Sequence, residues 1–438
     1  MKKETRSRLM LSLTTGALLL TAACGSNAGQ GGAADTVGAK AKAQAEPEEV
    51  SFYLLSLPQA TFDAIAEKAK AKFPHITLKS VPNTNAGGPS IDNMMITGSV
   101  PDIFVTRSAA DLAKRDLLFD ISELVKTEKF DLSRLNPVSI EHMKNDAGGK
   151  LVGIPISAST QAMHFNKDLF DKFGVAYPKD GMTWDDVYEV AKRMTRTEDG
   201  VVYRGYVERW MNTFFAQNPY GETYLSLSED KAAVQTDGWK KVAENFKRFY
   251  TMPGLTFDAK TINTEQDWRL FTTGLGAMTV FTSRNFMDWK FNWDVVGTPV
   301  YKDKLSAGIP ADFLNLYMTN SSKHKKAAFQ VAAWLTSEDM QSYLASDFGM
   351  FPSVTNEEVR KSFLKNDPLY KGKNVGAFRY NKETPLVPAR KPGLANVNAS
   401  TPFMKEMEKM ILESRDVNTT LRAAEEAINK AIAAEKSK

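Results

Sequence analysis

The residues able to do acid–base, nucleophilic or metal chemistry are few. Four histidines occur in 438 residues, His75, His142, His164 and His324, and none stands at zinc-protease spacing from another. No Gly-rich Lys-Ser/Thr loop is present to cradle a phosphate, and no Gly-x-Ser-x-Gly elbow to activate a serine. Acid pairs such as Asp185 and Asp186 could be weighed for glycosidic cleavage. Neighbours in the first turn of a helix face different directions, however, and their charge suits the helix dipole. The single cysteine, Cys24, has no internal partner for a disulfide and no second thiolate for a metal cluster. The chain therefore reads as one without a catalytic centre, a metal or a cofactor.

Cys24 carries chemistry of another kind. It closes the run Leu20-Thr21-Ala22-Ala23-Cys24, behind a charged head of Lys2, Lys3, Arg6 and Arg8 against Glu4 and an apolar stretch over residues 9–20. That is the layout of a secretory signal, and it is too short for the roughly 20 apolar residues that cross a bilayer. The pattern resembles a bacterial lipobox. The resemblance implies a diacylglycerol on the Cys24 thiol, cleavage before it and acylation of the new N-terminus, and two or more acyl chains give stable attachment where one does not. Residues 1–23 are then the signal and 24–49 a lipidated tether. The tether has no aromatic residue and one large aliphatic, Val37, too little apolar surface to offset the entropy of ordering. The expected location is the extracytoplasmic face of the cell membrane, on a Gram-positive-type cell in preference to a periplasm.

The formal charge of +4 includes a signal of four positives and one negative, which leaves about +1 (4 − 3) on the mature chain. A near-neutral chain has no nucleic-acid footprint, and the basic run Lys323-His324-Lys325-Lys326 reads as the start of a solvated helix. From residue 50 onward apolar and aromatic residues recur over a length that suits two domains. The first folded segment is β-α-β: a β-branched and aromatic run at 50–55, helical spacing of Phe62, Ile65, Ala66, Ala69 and Phe73, and a second strand at 76–81. A right-handed crossover makes these strands parallel, and 102–106 extends their sheet. Later, Thr183 with Asp186 and Thr264 with Asp267 have capping-box spacing. Strands follow at 162–165, 277–281, 295–297 and 313–318. Val417, Leu421, Ala424, Ile428 and Ile432 form one face of a last helix.

Several segments together resemble a known family. Gly149-Lys150-Leu151-Val152-Gly153-Ile154-Pro155, then His164-Phe165-Asn166-Lys167-Asp168-Leu169-Phe170, then Thr183-Trp184-Asp185-Asp186, are similar to extracellular solute-binding proteins (family 1) of carbohydrate ABC importers. Pro101-Asp102-Ile103-Phe104 precedes them; the stretch from Phe271 to Met278 and a late helix pair at 328–341 follow in the family's order. The maltodextrin-binding type is the nearest sub-architecture. The resemblance implies an α/β periplasmic-binding-protein-like fold, with two α/β lobes joined by hinge crossings near 156–159, 309–313 and 378–387. The implied division is 50–156 plus 312–377 for the N-terminal lobe and 157–311 plus 378–438 for the C-terminal lobe. A small-molecule carbohydrate would bind in the cleft and draw the lobes together, and a monomer would deliver it to an ABC permease.

Sugar recognition needs flat apolar faces and planar polar groups, so aromatics interleaved with Asn, Gln, Arg and Asp in loops are the candidates. They are Gln59 after the first strand, Asn83 after the second, Arg107 after the third, and Ser159 and Gln161 at the first crossing. The second lobe adds Arg209, Trp210 and Asn212, with Phe214 and Phe215 beside them. Two segments depart from the family pattern. Where many relatives carry a stacking tryptophan this chain has Ser283-Arg284-Asn285, and where relatives have a glycine pair at the second crossing it has Ala311-Asp312-Phe313. Arg107 and Arg284 suit an anionic solute, Asp312 points the other way, and the sequence leaves ligand charge open. Trp184 reads as a packed core anchor. Three competing readings remain: a surface glycan hydrolase, the same fold with a peptide, polyamine or other non-sugar cargo, and a lipid-anchored sensor or adhesin.

Overall fold

The computed structural model describes residues 46–209, 214–215, 218–262, 264–283, 289–305, 307–310, 312–384, 390–391, 393–395 and 397–437. The signal and the lipobox cysteine Cys24 lie outside them, as do Trp210, Asn212 and Arg284.

Twelve strands are described: β1 (Glu48–Leu54), β2 (Ile76–Val81), β3 (Ile103–Thr106), β4 (Gly153–Ala158), β5 (Gln161–Asn166), β6 (Arg196–Glu198), β7 (Val201–Tyr206), β8 (Gly276–Thr282), β9 (Trp293–Val296), β10 (Ala307–Pro310), β11 (Phe313–Met318) and β12 (Lys382–Thr384). The first sheet has the order β2-β1-β3-β11-β4 and the second β6-β7-β8-β5-β9, while β10 and β12 form a small pair of their own. As the crossover rule requires, β1 runs parallel to both β2 and β3, with Phe52 opposite Ile103 and Tyr53 opposite Phe104. β11 is antiparallel to β3 and β4 and so returns to the first sheet after the chain has built most of the second.

Each sheet buries its own apolar set. In the first lobe Val50, Phe52, Phe104 and Leu316 pack with Phe329 of the helix Lys325–Leu335. That helix begins within the basic run, but its apolar positions face the core. In the second lobe the helix Asp237–Tyr250 contributes Trp239 and Phe246, which meet Phe403 from Ser400–Leu412 and Leu421 and Ile428 from Val417–Lys436. A third cluster sits where the lobes join and draws Ala162 from β5, Trp293 from β9, Phe313 from β11 and Phe351, Tyr370 and Phe378 from the later chain. Two glycines allow close approach. A Cβ on Gly153 would lie 2.3 Å from the Leu316 carbonyl oxygen, and one on Gly205 2.1 Å from that of Ala191, so β4 meets β11 and β7 meets the helix Trp184–Met194 at distances no side chain permits.

The capping box at Thr183 is present in full: the Thr183 hydroxyl accepts from the Asp186 N–H, and the Asp186 carboxylate accepts from the Thr183 N–H at 2.8 Å. The Thr264 side chain, partner of Asp267 in the second expected capping box, lies outside the described ones, but Asp267 itself is described. Its side chain is buried, where it accepts from the Arg204 guanidinium at 2.8 Å and the Tyr250 hydroxyl at 2.6 Å. A distant arginine thus shares the carboxylate that local spacing assigns to the helix end.

Candidate functional site

Strand direction brings the candidate loops together. The carboxyl ends of β1, β2 and β3 lie on one edge of the first sheet. β4 ends at the same edge, because it and β3 both oppose β11. In the second sheet β8 ends where β5 begins, with Gln161 opposite Thr282, and β7 runs parallel to β8. Loops at the carboxyl ends of both sheets thus face the crossings, where open α/β folds bind ligands.

The crossings are tied to one another. Ser159 donates its N–H to the Asp312 carbonyl at 2.6 Å, Thr160 donates its hydroxyl to the Phe378 carbonyl, and Ala158 donates its N–H to the Phe351 carbonyl at 2.9 Å. Arg107 reaches this junction from the end of β3. Its Nη1 donates to Ser159 Oγ at 2.6 Å and to Asp312 Oδ2 at 2.8 Å. The structure therefore brings Arg107, Ser159 and Asp312 into one contact.

Other candidates have different employment. Asn83 accepts from the Ala86 N–H and donates to the Leu54 carbonyl at 2.6 Å, so it caps a short turn and pins the loop after β2 to β1. Gln59 is exposed and donates to Asp63 at 2.7 Å and Ser80 at 3.0 Å. The candidate Phe313 is 1% exposed and its ring packs in the junction cluster. Arg209 lies with its guanidinium 4.6 Å from the ring centres of both Trp268 and Phe281, and its burial lowers its pKa from the ordinary arginine value.

Gln161 is the candidate best placed to meet a solute. It is 7% exposed, it borders two cavities, and no donor among the described residues reaches its Oε1. The larger cavity, about 530 Å³, is walled by Trp184, Phe214 and Tyr301, with Glu208, Asn218 and Thr298 as polar groups. The smaller, about 420 Å³, lies beyond Thr298 and Gly308 and is bordered by Ser159, Phe378 and Asn381. Asn381 donates to the Thr298 carbonyl and hydroxyl, at 2.7 and 2.8 Å, and its own Oδ1 has no partner among the described residues.

Of this aromatic wall the sequence points only to Phe214; Trp184 reads there as a core anchor and Tyr301 is not singled out. Trp184 is half-buried instead of fully enclosed: its ring lies 5.4 Å from Phe214 and 5.5 Å from Tyr206, and its remaining face opens on the larger cavity. Tyr301 follows a Gly-Thr-Pro turn after β9, and Asn218-Pro219 is itself a turn signal, so both cavity segments were recognisable as loops though not as lining. Glu208 is held as an acceptor by the Tyr206 hydroxyl at 2.9 Å and the Arg209 N–H at 3.1 Å. Burial, with Glu208 alongside, raises the Tyr206 pKa well above its ordinary value, so this hydroxyl stays a donor. Among the described residues no group of three or more His, Cys, Asp or Glu is arranged to hold a metal ion, and no helix is long and apolar enough to cross a membrane.

Comparison with known proteins agrees with this architecture. A family model described as bacterial extracellular solute-binding protein matches residues 64–372, well over half of the chain. The chain belongs to that family. An ABC transporter extracellular-binding protein of Pyrococcus horikoshii is 23% identical over 97% of this chain and 96% of its own length. The sn-glycerol-3-phosphate-binding periplasmic protein UgpB of Rhizobium meliloti is 22% identical over 77% of this chain and 81% of its own. Among solved structures, the ABC substrate-binding protein Lmo0181 from Listeria monocytogenes, in complex with cycloalternan, superposes with a TM-score of 0.69 at 22% identity, over 89% of this chain and all of the other. The sugar-binding protein MalE from Xanthomonas citri gives 0.68 at 16% identity, over 89% of this chain and 98% of the other. At these identities the structures establish the fold: the periplasmic-binding-protein-like pair of α/β lobes. Membership also makes this an extracytoplasmic solute-binding protein.

Proposed function

We propose that this solute-binding protein captures a mono- or oligosaccharide outside the cytoplasm and hands it unchanged to an ABC permease, while a lipid on Cys24 holds it at the membrane. The observation that carries the sugar reading is a pair of acceptors without a partner among the described residues, Gln161 Oε1 beside the aromatic wall and Asn381 Oδ1 in the adjoining cavity. A buried acceptor left without a donor costs about 1–3 kcal/mol. A solute rich in hydroxyl donors relieves that cost, and the faces of Trp184, Phe214 and Tyr301 suit the apolar side of a pyranose ring. The solved relatives with cycloalternan, D-mannitol and mannobiose bound support the same class.

Calorimetry and native mass spectrometry against a panel of neutral mono- and oligosaccharides test this. The expected result is a saturable complex whose sugar is recovered intact, with affinity reduced about tenfold in Gln161→Ala through loss of one hydrogen bond. Absence of binding across the panel, or recovery of cleaved sugar, would refute it.

The anchor is tested separately. Cys24→Ala is expected to leave solute affinity within about twofold of the parent, since the proposed tether carries none of the candidate solute-binding residues, while protein moves from the membrane to the soluble fraction and uptake falls. A variant that stays in the membrane fraction, or folds but loses affinity, contradicts the proposed tether.

A further inference from the structure

The contact at the crossings joins opposite charges. Arg107 Nη1 and Asp312 Oδ2 are 2.8 Å apart, and Ser159 Oγ bonds the same nitrogen at 2.6 Å and lies 3.3 Å from the same carboxylate oxygen. The Arg107 and Asp312 side chains are 46% and 49% exposed, so both stay open to solvent, and Ser159, bonded to both, borders the smaller cavity. Asp312 is also held by its backbone, through the bond from the Ser159 N–H to its carbonyl. Arg360 and Arg379 border the smaller cavity that Ser159 shares, with Glu357 3.7 Å from Arg360 and Glu358 near Arg379.

We infer that Asp312 sets the charge selectivity of this site: it neutralises the Arg107 guanidinium at the hinge, so that the cleft accepts uncharged, hydroxyl-bearing solutes and turns away anions. The inference deepens the proposed sugar-capture reading and rests on it for the location of the solute. An exposed pair contributes at most about 1 kcal/mol to folding, so the role of this one does not lie in stability. It lies in the sum of charges. A phosphate or carboxylate entering beside Arg107 meets a carboxylate already bonded to the guanidinium and must displace it or sit against it. A hydroxyl can donate to Asp312 and accept from Arg107 without disturbing either. Removal of the Asp312 charge leaves a cation with a planar fork suited to carboxylate and phosphate.

The test measures binding of inorganic phosphate, glycerol 3-phosphate and glucuronate to the mature protein, to Asp312→Asn and to the double variant Arg107→Gln/Asp312→Asn, at low and moderate salt. The parent is expected to bind none of the three below the millimolar range. Asp312→Asn should gain at least tenfold for one of them, weakening with salt, and the double variant should lose that gain. Two results overturn the inference: parent protein that binds an anion as tightly as Asp312→Asn does, and a gain that persists without Arg107. A folded Asp312→Asn that gains nothing overturns it as well. Thermal melts of both variants check folding, and the neutral-sugar panel run on the parent separates the two ideas. Sugar binding without an anion gain refutes the role of Asp312 alone; an anion gain without sugar binding refutes the sugar reading and leaves the charge role standing.

Discussion

Asp267→Ala is expected to destabilise the protein by about 3–5 kcal/mol, the usual effect of breaking a buried ion pair from one side. Arg204 and Asp267 are 4% and 2% exposed in their side chains and bond at 2.8 Å. The Arg204 guanidinium also lies 5.3 Å from the ring centre of Tyr250 and 5.0 Å from that of Phe257, and its Nε and Nη2 have no partner among the described residues. Without the carboxylate, a cation that cannot shed its proton stays buried among aromatic rings. Burial already raises the Asp267 pKa from its ordinary value, against the opposing pull of Arg204 and the Tyr250 hydroxyl, which shows how much this carboxylate depends on both partners. Denaturant unfolding measures the loss. The double replacement Arg204→Met/Asp267→Leu should cost less than Asp267→Ala alone, because it removes the stranded charge along with the pair. A loss below about 1 kcal/mol for Asp267→Ala, or a double variant worse than the single, would sink the account.

The pair also bears on the cleft. Asp267 receives a bond from the backbone of Glu208, the cavity residue that follows β7, and Arg204 stands in β7 itself. The ion pair therefore joins β7, the helix Asp237–Tyr250 and the helix Thr264–Thr272 behind the segment that presents Glu208 to the cavity. Packing and site geometry depend on the same residues here.

Asp267 also shows where reading from sequence stops. Thr183 with Asp186 and Thr264 with Asp267 have the same spacing; Asp186 is exposed and caps its helix, while Asp267 is buried and bonded to an arginine 63 residues away in the chain, a partner that spacing does not indicate. The outcome depends on burial, and no local pattern encodes burial on the face of an amphipathic helix against a distant strand. Asn83 shows the opposite limit. It is a polar residue in a cleft-edge loop, but a backbone N–H three residues on and the Leu54 carbonyl are near enough to occupy it. Trp184 was legible as a helix start but not as a cavity wall, because the open face of its ring is set by Tyr301 and Phe214, which come from other loops. The strands fared better. The positions of β1 and β11 and the parallel β-α-β start follow from apolar runs and crossover handedness, which are properties of continuous segments. The convergence of Arg107, Ser159 and Asp312 needs three segments folded together. Sequence could name them one by one but could not pair them.

His164 should make stability fall with acidity. It is fully buried on β5, with ring centres of Trp289, Trp293 and Phe378 at 5.5, 5.6 and 5.8 Å, and its Nδ1 lies 3.2 Å from the Ala162 carbonyl. Burial lowers its pKa from 6.5 to about 3, and the nearby Lys373 ammonium, bonded to the Trp293 carbonyl at 2.8 Å, pushes in the same direction. Because the folded pKa lies below the unfolded one, the unfolded chain takes up a proton between about pH 6.5 and pH 3 and the native state does not. The stability this neutral imidazole permits is whole above pH 6.5 and is lost at up to about 1.4 kcal/mol per pH unit on the way down, reaching about 2 kcal/mol by pH 5. His164→Phe keeps an aromatic ring in an aromatic cluster and removes the proton. Unfolding free energies of parent and variant measured from pH 7.5 to 4.5 should therefore diverge, with the variant the flatter of the two; contributions from every other carboxylate and histidine are common to both and cancel in the difference. Parallel curves would mean that His164 titrates alike in both states, and the dry junction between the lobes would have to be open to water.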